Sequence, residues 1–124
     1  MSQSTRDFER SGIAGEDMTA KQFFIVQLAA DADVEVAEGA TDLIVGVLQN
    51  APDTGEQATY RFGGTTKVSA GGTIAVGDWV TTDSAGEAIA TTTDGNIVIG
   101  RALAAAVDGD IVEVQMSIQH LYIA

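Results

Sequence analysis

The sequence predicts an all-β protein, one small sandwich or barrel behind an extended N-terminal arm. Three observations carry this. From Gln22 onward the chain breaks into short runs rich in Val, Ile, Thr and aromatic residues. Glycines and acids punctuate those runs about every 8–12 residues, the spacing of short antiparallel strands. In Asp110-Ile-Val-Glu-Val-Gln-Met116, Val112, Val114 and Met116 share one face, and Glu113 and Gln115 share the other.

Residues 1–20 are read as a flexible arm, because they are polar and scatter Ser2, Ser4, Ser11, Gly12 and Gly15 without apolar periodicity. The arm holds Arg6 and Arg10, two of only six basic residues. It also holds Phe8, Ile13 and Met18, apolar groups that a purely solvated tail does not need. It is therefore either a plain disordered terminus or an arm that orders on a partner.

Residues 21–124 form the β domain. Its strand candidates are "QFFIVQL", "DLIVGVL", "EQATYRF", "DWVTT", "EAIAT", "NIVIGRAL" and "DIVEVQM". Their alternating or continuously apolar positions give an expected core of Phe24, Val26, Leu28, Leu43, Val45, Val47, Trp79, Ile97, Ile99, Val112 and Val114. "RALAAAVDG" is the one helix-tempting piece, short and flanked by strand-like sequence. An internal echo supports the β reading. "VGVLQNAPDTGEQATYRF" from Val45 and "IGRALAAAVDGDIVEVQM" from Ile99 align Gly46 with Gly100, Gly55-Glu56 with Gly109-Asp110, and Phe62 with Met116. Two copies are too few for a solenoid. They fit two equivalent strand–turn–strand units of one domain.

Composition excludes several functions. A formal charge of −12 is the wrong sign for a nucleic-acid binder or for adhesion to anionic membranes. No apolar run approaches the ~20 residues that span a bilayer, and the first residues lack the apolar core of a secretory signal. Without cysteine the chain has no disulfide and no thiolate ligand. Fourteen glycines against one proline indicate many turns rather than a stiff linker.

The stretch "GTIAVGDW" spaces Gly72 and Gly77 as a phosphate-binding loop does, but Asp78 stands where such a loop needs lysine and Trp79 where it needs a hydroxyl. Glycine here serves a turn. His120, the lone histidine, has no thiol to activate. Asp31-Ala-Asp33-Val-Glu35 resembles the start of a calcium loop, yet Val36 and Asp42 occupy the positions that need glycine and glutamate. Nothing singles out a hydrolytic pair among 18 acids. Lys67 is the one candidate for a carrier-domain lysine, which would sit at a hairpin tip. No catalytic residue, metal ligand or cofactor is assigned, and the protein is not expected to be an enzyme. Trp79, Tyr60 and Phe62 leave open a glycan- or receptor-binding platform on a virion or cell surface.

Four motifs, in order and spacing, give a resemblance. They are the "AKQ-aromatic-aromatic" opening, "GVLQN-x-P-x-x-GE", "V-x-A-GG-x-I-x-x-GD-x-V" and the late "G-x-AL-x-A". Together they cover about residues 15 to 117, and the chain resembles the capsid decoration, or cement, proteins of tailed bacteriophages. The resemblance implies a single small β-barrel or β-tulip-like domain on the outer surface of the virion capsid. There it binds the major capsid protein, stabilises the head and self-associates, as a trimer. It carries no catalytic motif. Related proteins use an arm that orders on the capsid, which makes Arg6, Phe8, Arg10 and Ile13 the expected capsid contacts. The apolar tail Leu121, Tyr122 and Ile123 either meets a neighbouring subunit or finishes its own sheet.

Overall fold

The computed structural model describes residues 8–121. The first half of the chain supplies β1 (Glu9–Ile13), β2 (Ile25–Leu28), β3 (Val34–Val36), β4 (Ile44–Leu48) and β5 (Gln57–Arg61). The second half supplies β6 (Thr65–Ser69), β7 (Trp79–Thr82), β8 (Ala88–Ala90), β9 (Ile97–Ala102) and β10 (Ile111–His120). Among the described residues there is no helix. "RALAAAVDG", the helix-tempting piece, leaves β9 through bends, makes a single antiparallel bridge from Ala106 to Ile74, and turns into β10.

The strands form two five-stranded sheets, ordered β1-β5-β4-β2-β3 and β6-β10-β9-β7-β8. Every neighbouring pair is antiparallel. The two orders are one topology written twice. Strands β2 to β5 map onto β7 to β10 with the 54-residue offset of Gly46 and Gly100, and β1 maps onto β6 with an offset two residues larger. Backbone hydrogen bonds repeat with the strands. Met18 donates to the Pro52 carbonyl and Ile74 to that of Ala106, both at 2.9 Å. Phe23 donates to Leu48 and Gly77 to Ala102, both at 2.8 Å. The echo between Val45 and Met116 is thus the visible part of a repeat that spans the fold.

The expected single barrel is not what forms. Each sheet stays open, its edges touching at one parallel bridge, Ala14 to Val34 in the first and Ala70 to Ala88 in the second. The expected arm also needs correction over its described part. Residues 9–13 are a sheet strand, in register with β5 from Glu9–Arg61 to Ile13–Gln57. Ala14 and Met18 are buried behind it. Only Ile13 in "ERSGI" is large and apolar, as suits an edge strand, and so the strand left little periodic signal.

Alternation fills each half. Met18, Val26, Val34, Leu48, Ala58 and Tyr60 pack inside the first. Their counterparts Ile74, Val80, Ala88, Ala102, Val112 and Val114 pack inside the second. Ile25, Ala37, Ile44 and Val47, from the outer side of the first half, join the second core and bind the halves together. Of the expected core, Val26, Val47, Ile99, Val112 and Val114 are buried, whereas Phe24, Leu28, Val45, Trp79 and Ile97 are half-buried. Leu43 is 63% exposed, because it lies in the loop before β4 rather than in the strand.

The Gly-acid punctuation has one structural meaning at three turns. Gly55, Gly77 and Gly109 have φ of +85°, +86° and +94°, a region that a Cβ disfavours. The acid that follows closes the turn. Asp78 accepts from the Ala75 N–H at 2.9 Å, Asp110 from Val107 at 3.0 Å, and Glu56 from Asp53 at 2.7 Å. Asp78 is therefore a turn cap that leads into a strand, not the remnant of a phosphate site.

Candidate interaction surfaces

The N-terminal end of β1 is locked to the chain after β5. The Phe62 N–H donates to the Phe8 carbonyl at 2.8 Å. The Phe8 ring meets Phe62 edge-on, with centroids 6.4 Å apart. It also covers Gly63 so closely that any Cβ there would collide with it. The Arg10 guanidinium sits 5.7 Å from the Phe62 centroid and is otherwise exposed. Glu9 and Arg61 form an ion pair at 2.6 Å across the β1–β5 register. Ile13 ends the strand 51% exposed. Of the four expected capsid contacts, Phe8 and Arg10 thus converge on Phe62, Ile13 lies at the other end of β1, and Arg6 lies outside the described residues.

The chain end is divided in the same way. Leu121 is buried; its N–H donates to Asn96 at 2.8 Å and its carbonyl accepts from Gly95 at 2.7 Å. It packs against its own chain at the end of β10. Tyr122 and Ile123 lie outside the described residues.

Sequence reasoning missed a pair on the outer face of the second sheet. Trp79 and Arg101 are register partners on β7 and β9, and the guanidinium lies 4.4 Å from the indole centroid. Shallow depressions flank the indole, one lined by Asp78, Ala90 and Thr91, the other by Arg101, Gln115 and Ser117. The three-aromatic platform does not assemble, because Tyr60 is buried inside the first half.

The remaining candidates dissolve into structure. Lys67 sits mid-strand opposite Glu113, not at a hairpin tip. Asp31 caps its own turn, accepting from the Asp33 N–H at 3.2 Å. Glu35 lies among Glu16, Asp31, Asp33 and Glu38; partial burial first, and then those like charges, raise its pKa. Among the described residues no three His, Cys, Asp or Glu side chains are grouped to hold a metal ion. His120 is exposed at the end of β10.

What remains is a two-sheet β body with surfaces. Its fold is similar to that of the N base of head fiber gp8.5 of bacteriophage phi29, with a TM-score of 0.66 and 24% identity. The match covers 93% of this chain and 98% of that one. No curated protein matches the chain by sequence. The phage cement protein family model matches residues 11–118, which take in nearly all of both sheets. On that match the chain belongs to the phage cement protein family, and it is a phage capsid-associated structural protein.

Proposed function

We propose that the protein decorates the outer surface of a tailed-phage head, binding the major capsid protein lattice and stabilising the shell, with its copies associating as trimers. The observation that carries this reading is the family match across residues 11–118. The physics agrees. Two interlocked sheets give a stiff body, and a charge of −12 gives solubility and no attraction to packaged DNA. Lattice attachment multiplies weak contacts.

The grip is assigned to the segment that includes Arg6 and enters the fold at Phe8. Phe8, the first described residue, is anchored to Phe62 and Gly63. Met1, the one large apolar residue of that segment, contributes roughly 1–3 kcal/mol if the capsid covers it, and an exposed Arg6 ion pair adds about 0–1 kcal/mol.

The test is a pull-down on undecorated heads with the full chain and with residues 1–7 deleted, which stops short of β1. The full chain should bind, and the deletion should bind at least tenfold more weakly. Failure of the full chain to bind ends the decoration reading. Equal binding by both moves the grip to the β body.

A further inference from the structure

We propose that a second copy of this chain docks head-to-tail, the Trp79–Arg101 face of one copy seating on the Ile13–Leu43 face of the next and reproducing between molecules the contact that joins the two halves within one. The inference specifies the self-association part of the reading above and rests on the internal repeat rather than on capsid binding.

The template is the contact between halves. The Ile25 N–H donates to Gly86 at 2.7 Å, and Ser69 donates to the Phe23 carbonyl at 2.9 Å. Gln49 Nε2 donates to Thr66 Oγ1 at 2.9 Å, and the Ile97 N–H donates to Ala40 at 2.7 Å. A head-to-tail contact uses different surfaces on its two sides. Each half therefore has a second, unused surface. Carried through the repeat, the four contacts pair Trp79 with Ala32, Gly77 with Ile13, Leu103 with Arg10, and Asp94 with Leu43.

These unused surfaces are apolar where solvent alone would not call for it. Ile13, Leu43 and Leu103 are 51%, 63% and 47% exposed, and Val76, beside Gly77, is 68% exposed. Together they are four of the six large hydrophobic residues left exposed among those described.

Shape and charge fit a copy in this register. Within the chain, Gly86 approaches Val36 so closely that a Cβ on the glycine would collide with the valine methyl. The counterpart of Gly86 is Ala32, which has that Cβ and shares the left-handed backbone at φ +69°. The counterpart of Val36 is Ala90, which lacks the methyl. The two changes compensate across the new contact. The pair that replaces Ile25 and Val47 is Trp79 and Arg101, which brings a cation toward Asp31 and Asp33 on either side of Ala32. Because the two docking surfaces differ, such a contact closes into a ring or continues as an open chain.

The test uses full-length chains with one surface spoiled. Leu103→Asp and Leu43→Asp change exposed side chains, and unchanged melting temperatures verify that both variants fold. Sedimentation velocity at about millimolar protein should show wild type self-associating and each variant weakened at least tenfold. An equimolar mixture of the variants should give a one-to-one heterodimer and nothing larger, since it retains one intact contact. Wild type that stays monomeric, or a mixture that fails to pair, overturns the proposal. A symmetric contact would not be rescued by mixing. Head binding without this pairing would overturn the inference alone; pairing without head binding would overturn the decoration reading alone.

Discussion

Arg101 stacks 4.4 Å above Trp79 at the register position where the first half pairs Val47 with Ile25. The same two places in one repeated topology hold a buried aliphatic pair in one half and a cation–aromatic pair in the other. The chemistry follows exposure. Ile25 and Val47 are sealed against the second half, whereas Arg101 faces solvent.

Removing that stack should be mild for the fold. Arg101→Ala should lower unfolding stability by about 0.5–1 kcal/mol, the range for an exposed cation–π contact. Urea denaturation followed by fluorescence of Trp79, the single tryptophan, measures it. A loss above about 2 kcal/mol would mean that Arg101 has a further structural role.

The repeat also makes a paired prediction at two glycines. A Cβ at Gly46 would collide with the Arg61 carbonyl oxygen, and one at Gly100 with that of Gln115. Both obstacles are backbone, so neither can swing away. Gly46→Ala and Gly100→Ala should each cost more than about 2 kcal/mol. Gly55→Ala meets nothing within 4 Å and has only its φ of +85° to contend with, so it should cost about 1–2 kcal/mol. Chemical denaturation of the three variants ranks them; equal costs would refute the close-approach account.

Truncation should divide the N-terminus at Phe8. Deleting residues 1–7 should leave the melting temperature nearly unchanged. Deleting residues 1–14 removes β1, uncovers β5 and takes away buried Ala14. It should lower the melting temperature by roughly 5 °C or more, the shift expected from a loss of about 1–2 kcal/mol. Calorimetry on the two truncations distinguishes a strand from a tail.

Two carboxyls should titrate on opposite sides of the usual range. The Thr19 backbone N–H and then its hydroxyl, at 3.0 and 2.8 Å, hold the Asp17 pKa down. Its contribution to stability is present above the unfolded pKa and is lost as pH falls through the lower folded one. Glu35 has the opposite sign. Its raised pKa is a penalty on the charged form, relieved as pH falls through the folded value. NMR titration should show added salt drawing Glu35 only part of the way back toward normal, since it screens the acidic neighbours but not the burial, with Asp17 little moved. Equal salt responses would contradict the hydrogen-bond origin at Asp17.

The fold class was legible because strand alternation and glycine turns are local signals. Val112 and Val114 alternate with exposed neighbours, and Gly55, Gly77 and Gly109 mark turns wherever the chain goes. The doubled topology was legible only from Val45 to Phe62 and from Ile99 to Met116, where the turns dictate the residues. Elsewhere the halves diverge because their outer faces meet different surroundings, as Ile25 and Trp79 do. Strand β1 was hidden by its polar edge, and the exposure of Leu43 by its place in a loop. The surfaces were the least legible part, since Arg101 acquires its meaning from a register partner 22 residues away, at Trp79.

The most direct measurement is a cryo-EM reconstruction of heads incubated with the full chain, beside undecorated heads. The expected difference density is a two-sheet body on the outer surface of the shell, touching the major capsid protein. Heads that show no added density outside the shell at saturating protein would contradict the account.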